Sequence, residues 1–266
     1  MKAPAIETHG LRRVFGKLVA LEGLELTIAQ GEIFGLLGPN GAGKSTAIKM
    51  LTTLLPPTSG SARVAGFDIV RQSAEVRRRI GYVPQLLSAD GGLTGRENLT
   101  LSARLYRIPR AQRAGMIQEA LAFMDLVASA DALVRTYSGG MIRRLELAQA
   151  MLHEPEVLFL DEPTIGLDPV ARHAVWERLL DLRRRGAMTI LLTTHDMEEA
   201  DELCERLAIL HAGAVTRLGS PAELKAAIGP AATLDDVFIQ AAGGSIGEGG
   251  TYRDVRQLRR TFDRLG

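Results

Sequence analysis

The chain has 266 residues, 32 Lys+Arg against 31 Asp+Glu, and 46% hydrophobic residues. That length suits one α/β domain of elaborate topology, and the apolar content excludes disorder over most of it. Balanced charge argues against a nucleic-acid surface, the single cysteine, Cys204, excludes an intrachain disulfide framework, and no charge-free stretch approaches a membrane-spanning helix.

Residues 1–10 lack the apolar core of a signal peptide, so a soluble, cytosolic chain is expected. Apolar runs then alternate with helical patterns, the mark of a largely parallel sheet flanked by helices. Leu18–Ile28 alternates apolar and polar residues like a half-exposed antiparallel strand. Residues 32–37 (EIFGLL) read as a buried strand running into the loop GPNGAGK. A helix is expected over 46–55, ended by Pro56-Pro57. Further strand-length runs fall at 80–84, 157–161, 188–193 and 207–210. Between 86 and 153 no strand is expected; 94–106, 110–127 and 138–153 read as amphipathic helices, a helical insert between sheet segments. Residues 243–250 (GGSIGEGG) read as a flexible linker. Beyond it, Tyr252, Val255, Leu258, Phe262 and Leu265 share one helical face of an Arg-rich tail. That tail is either a docking helix or a solvated extension. Deleting residues 245–266 should weaken complex assembly if it docks.

Gly38-Pro39-Asn40-Gly41-Ala42-Gly43-Lys44-Ser45, followed by Thr46, matches G-x-x-x-x-G-K-[ST] between a strand and a helix. The glycines let successive N–H groups converge on phosphate oxygens, and the helix start adds its dipole. Lys44 supplies a point charge to the outer phosphates, and the Ser45 hydroxyl is a Mg²⁺ ligand. Lysine is otherwise scarce in the chain, which makes one inside a glycine loop stand out. Val157–Asp161 (VLFLD) places Asp161 at the carboxyl end of a buried strand, where α/β sheets bind ligands and where it can hold Mg²⁺. Glu162 follows, positioned to polarise an attacking water. Ser138 before Gly139 and Gly140 N-caps the next helix and forms a second anion-binding helix start. No N-K-x-D element for guanine is present, since the asparagines are only Asn40 and Asn98.

The order GPNGAGKST, GYVPQ, YSGGM, LFLDEP, GLD and LTTH over roughly residues 5–225 resembles the ATP-binding subunit of an ABC transporter. The resemblance implies a P-loop NTPase core with a mostly parallel sheet, an N-terminal antiparallel β subdomain and an inserted α-helical subdomain. It implies an ATP-binding domain over 1–228, with the insert at about 86–153, and an extension over 229–266. ATP and Mg²⁺ are the implied cofactors. Phe15 resembles the aromatic that stacks on adenine, and Gln85 the residue touching Mg²⁺ and the attacking water. Ser138, Gly139 and Gly140 resemble the signature loop that acts on the partner subunit's ATP. Asp168 resembles the residue coupling the two sites, and His195 the switch histidine at the γ-phosphate.

The signature departs from the commoner L-S-G-G-Q: Tyr137 replaces Leu, and Met141, which cannot donate an amide hydrogen bond, replaces Gln. With Arg143-Arg144-Leu145 following, the chain is similar to the daunorubicin-resistance type of exporters, whose permeases are of the ABC-2 type. The implied partners are a second copy or a paralogous ATP-binding subunit and an integral membrane permease, with no nucleic acid. The implied location is the cytoplasmic face of the membrane, and the implied cargo is drug-like, lipid or glycan. A non-transport ABC ATPase acting in translation or DNA repair is the competing reading. The single nucleotide domain, the lone cysteine and the lack of extended heptads weigh against it.

Overall fold

The computed structural model describes residues 3–185 and 188–241. The expected alternation pairs β1 (Ile6–Phe15) antiparallel with β2 (Leu18–Ile28), Ile6 opposite Ile28 and Phe15 opposite Leu18. β3 (Ile33–Leu37), buried at every residue, runs into the glycine loop, and α1 (Lys44–Leu51) follows. β4 (Ser59–Val64) and β5 (Phe67–Asp68) complete a four-stranded sheet of order β2-β1-β4-β5. Next come α2 (Ser73–Arg79) and β6 (Ile80–Val83), then α3 (Gly95–Leu105), α4 (Arg110–Phe123) and α5 (Gly139–Met151), the helical insert. The chain continues through β7 (Val157–Asp161), α6 (Pro169–Arg184), β8 (Thr189–Thr194), α7 (Met197–Leu203) and β9 (Arg206–His211). It ends with β10 (Ala214–Gly219), α8 (Pro221–Ala226) and α9 (Leu234–Ala241).

The second sheet has the order β10-β9-β3-β8-β7-β6, parallel except for the β10–β9 pair. β3 lies between β9 and β8; the chain leaves it toward β6 on one side, whereas β8 is followed by β9 on the other, so its carboxyl end borders a topological switch point. The central strands read as unbroken apolar runs because both faces are covered. Ile33 and Leu37, Leu158 and Leu160 pack into one core beneath the helical insert, α6 and α7. Phe34, Leu36 and Phe159 face a second core under α1 and the antiparallel sheet. Each such buried side chain contributes roughly 1.5–3 kcal/mol. The sheet is thereby held rigid, and the loops at its carboxyl edge inherit that rigidity.

Helix boundaries differ from expectation, and α4, expected over 110–127, ends at Phe123. α1 begins two residues earlier, at Lys44, and ends at Leu51 rather than 55. Thr52 Oγ1 donates to Ile48 O at 2.8 Å and Thr53 takes a left-handed φ of 64°, which stops the helix before the prolines act. Within the extension expected over 229–266, α9 lies against α7, α8 and β9, with Leu234 and Val237 buried in the first core. Two turns are too short for their periodicity to show in sequence. The proposed linker at 243–250 and the tail at 251–266 lie outside the described residues.

Candidate active site

The site grows from the end of β3. A Cβ on Gly38 would stand 2.5 Å from Leu210 O, and one on Gly43, at φ 105°, 2.5 Å from Ala20 O. Both positions therefore require glycine. Lys44 opens α1 but its side chain folds back, Nζ donating to Gly38 O at 2.7 Å and to Pro39 O at 3.3 Å. Ser45 Oγ donates to Asp161 Oδ1 at 3.0 Å, joining α1 to the end of β7. The same carboxylate oxygen accepts from Thr193 Oγ1 at 2.6 Å. Hydroxyl and carboxylate oxygens are the hard donor set that suits Mg²⁺.

Glu162 sits one residue past β7 with φ 52°, a left-handed conformation uncommon outside glycine. Its N–H is held by Thr193 O at 3.1 Å and Thr193 Oγ1 at 3.0 Å. Its carboxylate is buried between two nitrogen groups: Oε1 is 3.1 Å from Lys44 Nζ, and Oε2 is 2.7 Å from His195 Nδ1. Burial raises its pKa, but the His195 hydrogen bond and the Lys44 charge outweigh burial and hold it below the usual carboxylate value. His195 is correspondingly raised, chiefly by its hydrogen bond to Glu162. An ionised carboxylate, fixed in direction beside a phosphate loop, is equipped to orient and polarise water.

These groups border an open cleft of about 490 Å³, lined by Phe15, Leu18, Gln85, Glu162 and the loop from Pro39 to Thr46. Phe15 is 43% exposed, and the Arg13 guanidinium covers one face of its ring at 4.5 Å. The structure thus brings Phe15, the loop from Pro39 to Thr46, Gln85 and Glu162 to one cleft, while Asp161 and His195 lie behind its lining, bonded to Ser45 and Glu162. Thr193, which locks both Asp161 and Glu162, escaped the sequence reading. Its signal was its place in LTTH, at the carboxyl end of a fully buried strand.

Ser138, Gly139, Gly140 and Asp168 do not line that cleft. Ser138 N-caps α5, accepting from Met141 N–H at 3.3 Å. A Cβ on Gly140 would stand 2.7 Å from Ala171 Cβ, so that glycine lets α5 approach α6. Asp168 N-caps α6 through the N–H groups of Val170 and Ala171, both at 3.0 Å. Tyr137 is buried and donates its hydroxyl to Ser129 O at 2.6 Å, while Met141 packs against the first core. Both departures in the signature are thus accommodated by packing.

Residues 21–165 match the family described as ABC transporter. The chain is 46% identical over 224 residues to the Nod factor export ATP-binding protein I of Paraburkholderia xenovorans (strain LB400), covering 84% of this chain and 73% of the relative. It is 46% identical over 225 residues to the daunorubicin/doxorubicin resistance ATP-binding protein DrrA of Streptomyces peucetius, covering 85% and 68%. A solved ATP-binding subunit of an ABC transporter superposes with TM-score 0.79 at 31% identity, covering 89% of this chain and 99% of that one. CbiO1 of Clostridium perfringens, part of the transporter complex cbiONQ, superposes at 0.77 with 27% identity, covering 85% and 92%. These relatives favour a transporter subunit over an ATPase of translation or DNA repair. With the phosphate loop, Asp161 and Glu162 in place, the chain belongs to the ABC transporter family as an ATP-binding, ATP-hydrolysing subunit.

Proposed function

We propose that the chain powers an exporter, hydrolysing ATP at the cytoplasmic face of a membrane while bound to a separate integral permease of the ABC-2 type. Export and a drug-like, lipid or glycan cargo are supported by the relatives named for Nod factor export and daunorubicin resistance. Lys44 and the loop N–H groups receive the phosphates, and Phe15 offers an aromatic face to the base. Ser45 and Asp161, with Gln85 in part through water, hold Mg²⁺, which neutralises charge on the phosphates. Glu162 accepts the proton of the attacking water, and His195 fixes that carboxylate's direction.

The observation that carries the assembly is that Ser138–Gly140 stand outside the cleft of their own chain. In the proposed dimer, with itself or a paralogue, they complete the partner's site, Asp168 couples the two sites, and ATP bridges the subunits. Hydrolysis removes the bridging charge and lets the subunits part, a ligand-biased two-state switch. The test is a pull-down of tagged Glu162→Gln from detergent-solubilised membranes with ATP present. Recovery of a multi-span membrane protein by mass spectrometry is expected. Recovery of soluble partners alone, with ATP-driven dimerisation intact, would overturn the transporter assignment.

A further inference from the structure

Beyond its capped start at Ser138, α5 carries an ion pair inside the protein. Arg143 is 1% exposed and Glu146 3%, and Arg143 Nη1 donates to Glu146 Oε2 at 3.0 Å. On most helices an Arg and a Glu three residues apart form a solvated pair of small consequence. Taking both charges out of water is costly unless their remaining hydrogen-bonding capacity is used. Apart from Arg143 Nε, which has no partner, that capacity is spent on one short segment.

Arg143 Nη1 also donates to Pro84 O at 2.7 Å, and Nη2 donates to Gln85 O at 2.9 Å. Glu146 Oε1 accepts from the Ser88 N–H, from Ser88 Oγ at 3.1 Å and from the Ala89 N–H at 3.3 Å. The guanidinium takes the carbonyls that open segment 84–89, and the carboxylate takes the amides that close it. These residues belong to no strand or helix, so the pair stands in for a ladder with charge-assisted bonds, roughly twice as strong as neutral ones. The clamped segment carries Gln85 into the nucleotide cleft.

We propose that Arg143 and Glu146 are positioning residues for Gln85, tying its backbone to the helix that presents Ser138–Gly140. The segment that carries Gln85 and the helix that begins at Ser138–Gly140 are joined through these bonds. The proposal rests on the reading of Gln85 as the residue that contacts Mg²⁺ and the attacking water.

The test is a mutant cycle in the full chain. Arg143→Met with Glu146→Leu removes both charges at similar volume, so neither is stranded in the core; thermal unfolding checks the fold. Nucleotide Kd should stay within about twofold while kcat for ATP hydrolysis falls about tenfold or more. Removing the pair from Gln85→Ala should cost nothing further, because the pair acts through that side chain. Arg143→Lys keeps the charge but cannot span both carbonyls; it should give an intermediate kcat, and it carries the test if the apolar variant fails to fold. An unchanged kcat, or a loss that adds to that of Gln85→Ala, overturns the positioning role. A wild-type kcat in Gln85→Ala alone overturns the role of Gln85 itself, and the proposal with it. The single variant distinguishes that failure from the other.

Discussion

Lys44 and Glu162 are ion-paired inside the cleft wall, Nζ to Oε1 at 3.1 Å, with side chains only 5% and 6% exposed. The two side chains therefore satisfy one another's charge. A triphosphate bound at the glycine loop is expected to compete with Glu162 for Lys44. The competition yields separate expectations for the two residues.

Glu162→Gln removes the base and also the carboxylate that competes for Lys44. ATP hydrolysis should fall by about 10²–10⁴, while nucleotide affinity stays at or above that of the wild type. Turnover close to wild type, measured by phosphate release, would remove Glu162 from the role of base.

Lys44→Ala should abolish measurable nucleotide binding. It also strips the buried Glu162 carboxylate of its lysine partner and leaves only the His195 hydrogen bond, so thermal stability should fall as well. Retained affinity for a fluorescent ATP analogue would contradict the phosphate-loop assignment.

His153 predicts an acid sensitivity remote from the site. Its ring stacks on Tyr106 at 3.6 Å, Nε2 bonds Ile80 O at 3.0 Å, and Nδ1 is buried without a partner. A carbonyl accepts, so Nε2 carries the hydrogen, and protonating Nδ1 would bury a second N–H with no acceptor. Burial lowers its pKa below the ordinary 6.5. Arg77, Arg78 and Arg107, with Glu154, line the adjoining groove. The native state thus binds fewer protons than the unfolded chain; this contribution is full above 6.5 and is lost as pH falls below it. Between about pH 7.5 and 5.5 the melting temperature should drop more steeply for wild type than for His153→Phe. Parallel slopes would exclude this histidine as the cause.

Cys204 is buried, and a Cβ on Gly35 would stand 2.7 Å from its Sγ. Burial pushes its thiol pKa far up, and Glu199, Glu205 and Glu32 add to the effect, so the reactive thiolate is scarce. Native protein should resist maleimide and react only as it unfolds. Rapid labelling of folded protein would show that this core opens. Gly35→Ala should destabilise by about 1–3 kcal/mol through overpacking, read from denaturant midpoints.

Features written in contiguous residues were legible from the start. GPNGAGKST and VLFLDEP carry their chemistry in local spacing, because a phosphate loop needs only a strand end, glycines and a helix start. The alternation in Leu18–Ile28 gave an antiparallel strand because one face is buried and the other wet. Ser138 before Gly139-Gly140 reads as an N-cap on sequence and is one in the structure.

Other features depend on partners far along the chain. Arg143 and Glu146 look like an ordinary surface pair until segment 84–89 is folded against them, some 58 residues away in sequence. Thr193 gains its role only because β7 and β8 pair in the register that sets it beside Asp161. The two-turn α9 joins the domain only because a hydrophobic core is there to receive Leu234 and Val237. The sequence by itself determined the elements of the nucleotide site, since local backbone geometry and residue chemistry suffice for them. Tertiary structure alone decided which side chains brace those elements and that Ser138–Gly140 stand apart from their own cleft, because long-range burial and register arise only when the whole sheet packs.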